Sequence, residues 1–170
     1  MNYLVKRVIL SKDQIRRANG LYPFTGLLGS ITGGSSNIYG AIGEIMVYDI
    51  FKTKFPVQHV GDIDYDMLFC GDIRVEVKTK RTTVVPRGDY NCSISDYNPN
   101  QRCDLYIFCR VDESLSVGYI LGYKWKHDFF DIARYNLFGE SDGDTGFTYK
   151  DNCYNLTINE LEPINWDDND

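Results

Sequence analysis

The apolar run "LYIFC" at residues 105–109 is the feature that most constrains the fold. A strand with almost no polar alternation is expected to be covered on both faces of a sheet. Three further segments are strand-like, namely "YDMLFC" (65–70), "IRVEVKTK" (73–80) and "SVGYILGYKW" (116–125). A sheet covered on both sides needs layers above and below it. The sequence therefore predicts an α/β fold, with α+β as the alternative, built on a mixed β-sheet flanked by helices.

Three segments are predicted to be helical. "SKDQIRRANG" follows a short strand at 3–10 and has the Ser11 and Gln14 spacing of a capping box, with an expected end at Gly20. Apolar residues from Ile38 to Ile50 recur at helical spacing and predict a core-packed helix of about four turns. Its glycines, at 40 and 43, would let another backbone come close. The third predicted helix is "HDFFDIARYNLFG" at 127–139.

Length and composition predict one globular domain over residues 1–170, with a core at about 38–125. The N-terminal strand and helix and an acidic C-terminal tail are additions to this core. No apolar run reaches the roughly 18 residues of a membrane span, and the N-terminus has no secretory h-region. We therefore expect a cytoplasmic protein, in the host-cell cytoplasm if the chain is phage-encoded. Five cysteines without a CxxC pair indicate reduced, buried thiols in preference to a zinc site.

The net charge of −6 argues against broad electrostatic attraction to nucleic acid. It is still compatible with a local basic patch beside carboxylates that hold metal ions.

Charged residues alternate along the predicted strand 73–80, where Arg74, Glu76, Lys78 and Lys80 share one face. A half-exposed strand with these side chains in water is the simple interpretation. The turn "CGD" at residues 70–72 instead predicts a hairpin that pairs 65–69 with 73–77.

That hairpin would bring Asp66 beside Glu76 and Lys78. With the backbone carbonyl of Val77, the two carboxylates would form an oxygen-rich pocket of the kind that Mg²⁺ prefers. Lys78 would neutralise developing negative charge or orient a water molecule near the metal. Asp62 and Asp64 compete with Asp66 for this position, and Asp66 is favoured because it directly precedes the apolar "MLF".

The order of Glu44 on a helix, Asp66 before a strand and "EVK" at 76–78 resembles the PD-(D/E)XK nuclease superfamily. The resemblance covers residues 38–110, and the same segments are more weakly similar to small phage nucleases. One departure is Tyr65, where the superfamily often has proline. The resemblance implies a restriction-endonuclease-like mixed sheet with the metal site where the hairpin opens.

The resemblance also implies a metal-dependent endonuclease that hydrolyses DNA, with Mg²⁺ as cofactor and Mn²⁺ as an alternative ion. Glu44, Asp66, Glu76 and Lys78 would be catalytic. Asp66, Glu76, Glu44 and the Val77 carbonyl would hold the metal. Restriction-like, homing-type and junction-resolving roles all stay open, as does a homodimer that cuts both strands of a duplex.

Basic residues with interleaved tyrosines follow the predicted site strand, and Lys80, Arg81 and Arg87 are candidate phosphate contacts. Gln101 is a candidate polar residue near the site, as the superfamily often has beyond its last motif. The "KDQIRR" helix and the Gly/Ser-rich loop 29–37 are further candidate DNA contacts. A solvated basic loop is the alternative for this region.

Two other classes of function stay open on the sequence. One is a nucleic-acid-binding protein that keeps the nuclease fold without catalysis, which the complete set of four site residues disfavours. The other is a protein-interaction factor that mimics DNA with its acidic surface, which the scattered basic residues disfavour.

Overall fold

The computed structural model describes residues 5–21, 37–141 and 147–166. Its first elements are strand β1 (Lys6–Ile9), helix α1 (Lys12–Leu21) and helix α2 (Asn37–Phe51). Strands β2 (Val57–His59), β3 (Met67–Phe69), β4 (Ile73–Thr82), β5 (Asn91–Ser95), β6 (Leu105–Asp112) and β7 (Val117–Trp125) follow. Helix α3 (Lys126–Ile132), strands β8 (Arg134–Asn136) and β9 (Cys153–Thr157) and a 3₁₀ turn (Ile158–Glu160) come last.

The main sheet is mixed and six-stranded, in the order β1-β7-β6-β4-β3-β2. Only β4 and β6 pair in parallel; the other neighbours are antiparallel. β4 and β6 form the centre of the sheet, as the apolar run at 105–109 predicts. The predicted α/β class with a mixed sheet is confirmed.

The two faces of the main sheet are covered differently. Helices α1 and α2 cover one face, where Met46 and Ile42 pack against Val75 and Ile107. Helix α3 and a second sheet, in the order β5-β9-β8, cover the opposite face, which contributes Tyr106 and Phe108. Helices therefore lie on both sides as predicted, and a second sheet adds to one of them.

The second sheet was not predicted, and two expectations are wrong because of it. Strand β5 lies inside the region interpreted as a basic loop. The predicted helix at 127–139 ends at Ile132, and Arg134–Asn136 pair with β9 instead. The extended backbone at Ala133 breaks the helix (ψ 139°). Pairing with a strand some twenty residues away decides this conformation, and local propensity does not encode it.

Helix α1 begins with the predicted capping box, in which Ser11 and Gln14 each accept a hydrogen bond from the backbone N–H of the other. It includes Gly20 and runs to Leu21, one residue past the predicted end. Helix α2 matches the predicted position and ends at Phe51. The Gly/Ser-rich loop at 29–37 lies outside the described residues, except that Asn37 begins α2.

Glycine 43 sets the distance between helix α2 and strand β4. A Cβ atom built there would lie 1.9 Å from the Thr79 side-chain oxygen, whereas a Cβ at Gly40 would have open space around it. The predicted close approach therefore occurs at Gly43 and involves a side chain of β4. This contact fixes the height of α2, and with it Glu44, over the sheet.

Described cysteines carry free thiols, and Cys92, Cys103, Cys109 and Cys153 are buried. Burial raises the pKa of the Cys92 thiol to about 12. Among the described residues, no helix is long and apolar enough to cross a membrane.

Candidate active site

The β3–β4 hairpin has the predicted register and places Asp66 opposite Glu76. Met67 pairs with Val75 and Phe69 with Ile73, so Asp66, just before β3, continues the ladder. Its N–H donates to the Val75 carbonyl at 2.9 Å. Its side-chain Oδ2 accepts a hydrogen bond of 2.7 Å from the N–H of Val77. Asp66 is thereby fixed where β3 begins and the hairpin opens.

The backbone carbonyl of Val77 lies on the side of β4 that faces Asp66. In a strand the N–H and the C=O of one residue point to the same side. Because the N–H of Val77 binds Asp66, its carbonyl oxygen also points to that side. The Val77 side chain itself lies in the core under α2. Only the carbonyl is therefore a candidate ligand, as predicted.

Glu76 and Lys78 form a hydrogen-bonded triangle with Gln101. The Lys78 Nζ lies 2.7 Å from Glu76 Oε1 and 3.2 Å from Gln101 Oε1, and Gln101 Nε2 donates to Glu76 Oε1 at 3.1 Å. Glu76 is buried, and only 19% of the Lys78 side chain is exposed. The simple interpretation, in which the side chains of Glu76 and Lys78 lie in water, is therefore wrong.

Glu44 approaches from helix α2 and is also buried. Its Oε2 lies 2.9 Å from Nε2 of His59, on strand β2. Sequence reasoning missed His59, whose partner Glu44 is 15 residues earlier in the chain. No local sequence signal pointed to this pair, because strand β2 was not predicted.

The pKa of Asp66 responds to its burial and to the two neighbouring carboxylates. Its pKa is raised well above the usual value, first by burial and then by the negative charges of Glu76 and Glu44. The Val77 N–H and the Lys78 ammonium act in the opposite direction. We call Glu44, Asp66 and Glu76 the acidic cluster. The described basic side chains beside the cluster are Lys78 and His59.

The donor set fits a hard divalent cation. Carboxylates and a backbone carbonyl are the ligands that Mg²⁺ prefers, and a positive charge would reverse the mutual repulsion that raises the pKa of Asp66. Within the described part of the chain, no group of three or more His, Cys, Asp or Glu side chains is arranged to hold a metal ion. In this arrangement the carboxylates bind protein groups: Val77 donates to Asp66, Lys78 and Gln101 both donate to Glu76 Oε1, and His59 contacts Glu44.

The two competing aspartates point elsewhere. Asp64 pairs with Arg102 at 2.6 Å, which holds the pKa of Asp64 below its usual range. Asp62 is exposed and accepts the backbone N–H of Asp64. Asp66 is therefore the aspartate that the fold brings to Glu76.

The candidate phosphate contacts divide into exposed and enclosed residues. Arg81 is exposed, with Glu113 at 3.8 Å, and the exposed Arg87 pairs with Asp89 at 2.6 Å. Lys80 points inward, and its Nζ lies 2.6 Å from Ser93 Oγ on strand β5. The expectation that Lys80 grips a phosphate is therefore not supported by its position, because the unpredicted strand β5 covers it.

The "KDQIRR" helix is also committed to internal contacts. Arg16 and Arg17 pair with Asp13, and Arg17 pairs with Asp49 of α2. These ion pairs fasten α1 to α2 and leave less positive charge for a phosphate.

No protein-family model matches this chain, and no curated protein is significantly similar to it. The candidate active site is therefore identified by its geometry and by the order of its motif residues in the sequence.

Proposed function

We propose that this protein is a metal-dependent endonuclease with a restriction-endonuclease-like core, and that it hydrolyses DNA phosphodiester bonds. One observation carries the proposal: Glu44 on α2, Asp66 just before β3 and Glu76 on β4 are all buried, and the charges of Glu76 and Glu44 both act on Asp66. Burying three carboxylates together is costly unless a cation binds there. A structural role would be served as well by apolar residues.

Each residue of the cluster has a role in this proposal. Asp66, Glu76 and the Val77 carbonyl would hold a Mg²⁺ or Mn²⁺ ion, and Glu44 would hold a second ion or water around the first. A bound ion supplies charge stabilisation at the scissile phosphate and lowers the pKa of water. The Val77 N–H orients the Asp66 carboxylate by the 2.7 Å hydrogen bond.

Lys78 and Gln101 would position the attacking water. The Lys78 ammonium is held between Glu76 and Gln101, so one of its three N–H groups can donate to a water molecule or a phosphate oxygen. Gln101 also donates to the Ile63 carbonyl at 3.2 Å, which fastens the loop before Asp66 to the site. This network restricts the rotamers of both side chains before substrate binds.

The test is cleavage of supercoiled plasmid with Mg²⁺ or Mn²⁺ against EDTA. Wild type should nick or linearise the plasmid only with metal, and Glu76→Gln and Lys78→Ala should both lose at least about a hundredfold in rate. Glu140→Gln, an exposed carboxylate shortly after β8, is the matched control and should cut normally.

Calorimetric titration of Mn²⁺ separates catalysis from binding. Wild type should bind the ion and Glu76→Gln should bind it more weakly, whether or not a given DNA is a substrate. If wild type binds no divalent ion and cuts neither plasmid, branched nor single-stranded DNA, the proposal is wrong. Duplex DNA as the partner and a homodimer that cuts both strands belong to the same proposal, and sedimentation with and without DNA tests the dimer.

A further inference from the structure

An open groove of about 660 Å³ lies at the end of the main sheet where β4 begins and β7 ends. Its walls come from the start of β4, the segment before β6 and the junction of β7 with α3. A volume of this size is in the range of sites for small organic ligands, which is about 300–1,000 Å³.

One side of the groove combines an aromatic ring with a cation. Trp125 is 42% exposed at the wall, and Lys126 follows it directly. An accessible indole offers a flat face for stacking, and an adjacent ammonium group suits a phosphate. This combination is the one that binds single nucleotides of an unpaired strand without reading their sequence.

The acidic groups of the groove do not cancel this character. Arg74 binds Asp104 through two side-chain hydrogen bonds of 2.9 and 2.6 Å, so these two charges neutralise each other. Asp72 is an exposed carboxylate at the edge. His127 lies 3.2 Å from Asp131, outside the groove lining. Lys126 is the cation next to the indole; its Nζ donates to the Gln101 carbonyl, and its charge also acts on Asp104, which is already paired with Arg74.

The groove and the candidate active site share a wall. The Gln101 side chain binds Glu76 and Lys78, and its backbone carbonyl accepts a hydrogen bond from Lys126 Nζ. Cys103, two residues further on, lines the groove. On β4, Arg74 in the groove is two residues from Glu76, a distance of about 7 Å along the strand. A strand with a phosphate at Glu76 would therefore have its neighbouring nucleotides at the groove.

We propose that the groove binds an unpaired nucleobase, which stacks on Trp125 beside the scissile phosphate. A base inside a duplex already stacks on its neighbours and cannot present a free face to the indole. Within the proposed function, the preferred substrate is accordingly duplex DNA that carries a single-stranded segment, such as a branch, a flap or an open end. This inference rests on the proposed function for the position of the scissile phosphate, whereas the stacking itself does not.

Trp125 and Trp166 are the only tryptophans in the chain, which gives a direct readout. Indole fluorescence of the full chain is titrated in EDTA with a single-stranded oligothymidylate and with a blunt-ended duplex that has no unpaired base. The oligothymidylate should quench the wild-type and Trp166→Phe proteins, and the quenching should disappear in Trp125→Phe. The duplex should leave the emission unchanged.

Affinity is measured separately, by anisotropy of a labelled oligothymidylate. Trp125→Ala should weaken binding about tenfold or more, and Trp125→Phe should retain most of it, because a smaller ring can still stack. Circular-dichroism melts check that both variants fold. Equal affinity in wild type and Trp125→Ala, or quenching by the duplex alone, would overturn the proposal.

EDTA keeps the two proposals distinguishable. Quenching by the single strand without any metal-dependent cleavage would support base binding in the groove and contradict the nuclease proposal. Cleavage of plasmid without quenching would support the nuclease proposal and contradict base binding in the groove.

Discussion

Two buried charged regions lie on the same face of strand β4, and they differ in what covers them. The acidic cluster surrounds Glu76, and a cationic pair, Lys80 and Arg110, lies four residues further along on β4 and β6. Glu76, Lys78 and Lys80 alternate regularly, so strand geometry alone would treat them alike. Their surroundings separate them.

Neutral oxygens cover the cationic pair. Lys80 donates to Ser93, and Arg110 donates to the Asn91 carbonyl at 3.0 Å and stacks over Tyr90 at 5.2 Å. No described carboxylate forms an ion pair with either residue. Burial and the charge of Arg110 lower the pKa of Lys80 to about 8.

Buried groups of like charge are therefore accommodated in two different ways in this fold. In the acidic cluster the three carboxylates match the donor set of a cation site. In the cationic pair the second sheet supplies hydroxyl and carbonyl groups that accept its hydrogen bonds. We therefore expect the cluster to respond to metal ions and the pair to respond to pH.

The largest expected effect is stabilisation by metal at the acidic cluster. At a Mg²⁺ or Mn²⁺ concentration of about one hundred times Kd, wild type should gain about 3 kcal/mol in unfolding free energy. Asp66→Asn should gain almost nothing, because it removes a proposed ligand. Thermal melts with and without the ion measure this, and Asp128→Asn, an exposed carboxylate on α3, is the control that should respond like wild type. An equal gain in Asp66→Asn would remove that residue from the metal site.

The spacing of helix α2 over β4 should come next in size. Gly43→Ala should destabilise the fold by about 1–3 kcal/mol, because its Cβ would overlap the Thr79 side chain. Gly40→Ala, on the same helix, should stabilise by about 0.5–1 kcal/mol through helix propensity. Urea denaturation of both variants makes the comparison. Similar values for the two would mean that α2 does not press against β4.

The cationic pair should produce a rise of stability with pH. The Lys80 pKa is lowered to about 8 in the folded state from 10.5, so between these values the unfolded chain binds more protons. Stability attributable to Lys80 therefore increases as pH rises from about 8 to 10.5, by about 1–2 kcal/mol after allowance for partial exposure. Lys80→Met should remove the rise in urea titrations across this range. If unfolding free energy rises with pH as steeply in Lys80→Met as in wild type, another titrating group causes the rise.

The smallest effect is expected at a partly exposed ion pair outside both regions. Arg134 and the hydrogen bonds from Thr157, the residue that caps the 3₁₀ turn, lower the pKa of Glu160 to about 2, from 4.5. This contribution is complete above pH 4.5 and is lost as pH falls toward 2, because the folded pKa is depressed. Glu160→Gln should cost about 1 kcal/mol at pH 7 and nothing near pH 2. Glu113→Gln, whose partner Arg81 lies at 3.8 Å, should cost less at pH 7, and equal costs would argue against the cap.

Local sequence patterns predicted much of the framework around the candidate site. Alternation along 73–80 and the turn at 70–72 gave the register that sets Asp66 opposite Glu76. Helical periodicity placed Glu44 on α2. These features depend on neighbours close in the chain, so their pattern is visible in the residues themselves.

Contacts between distant segments could not be predicted in the same way. The hydrogen bond of His59 to Glu44 joins two elements whose packing no local pattern fixes. The enclosure of Lys80 requires strand β5, and the end of α3 requires pairing of β8 with β9. Each depends on which surfaces meet in the folded chain.

By itself the sequence determined which charged residues share one face of β4 and where the hairpin turns, because backbone geometry alternates side chains regardless of the rest of the fold. Only the tertiary structure decided what lies against that face. It set Glu44 of α2 and Asp66, just before β3, near Glu76, and it set neutral oxygens of the second sheet around Lys80. The physical reason is that the free energy of a buried charge depends on the groups packed around it, and in this fold those groups come from other elements.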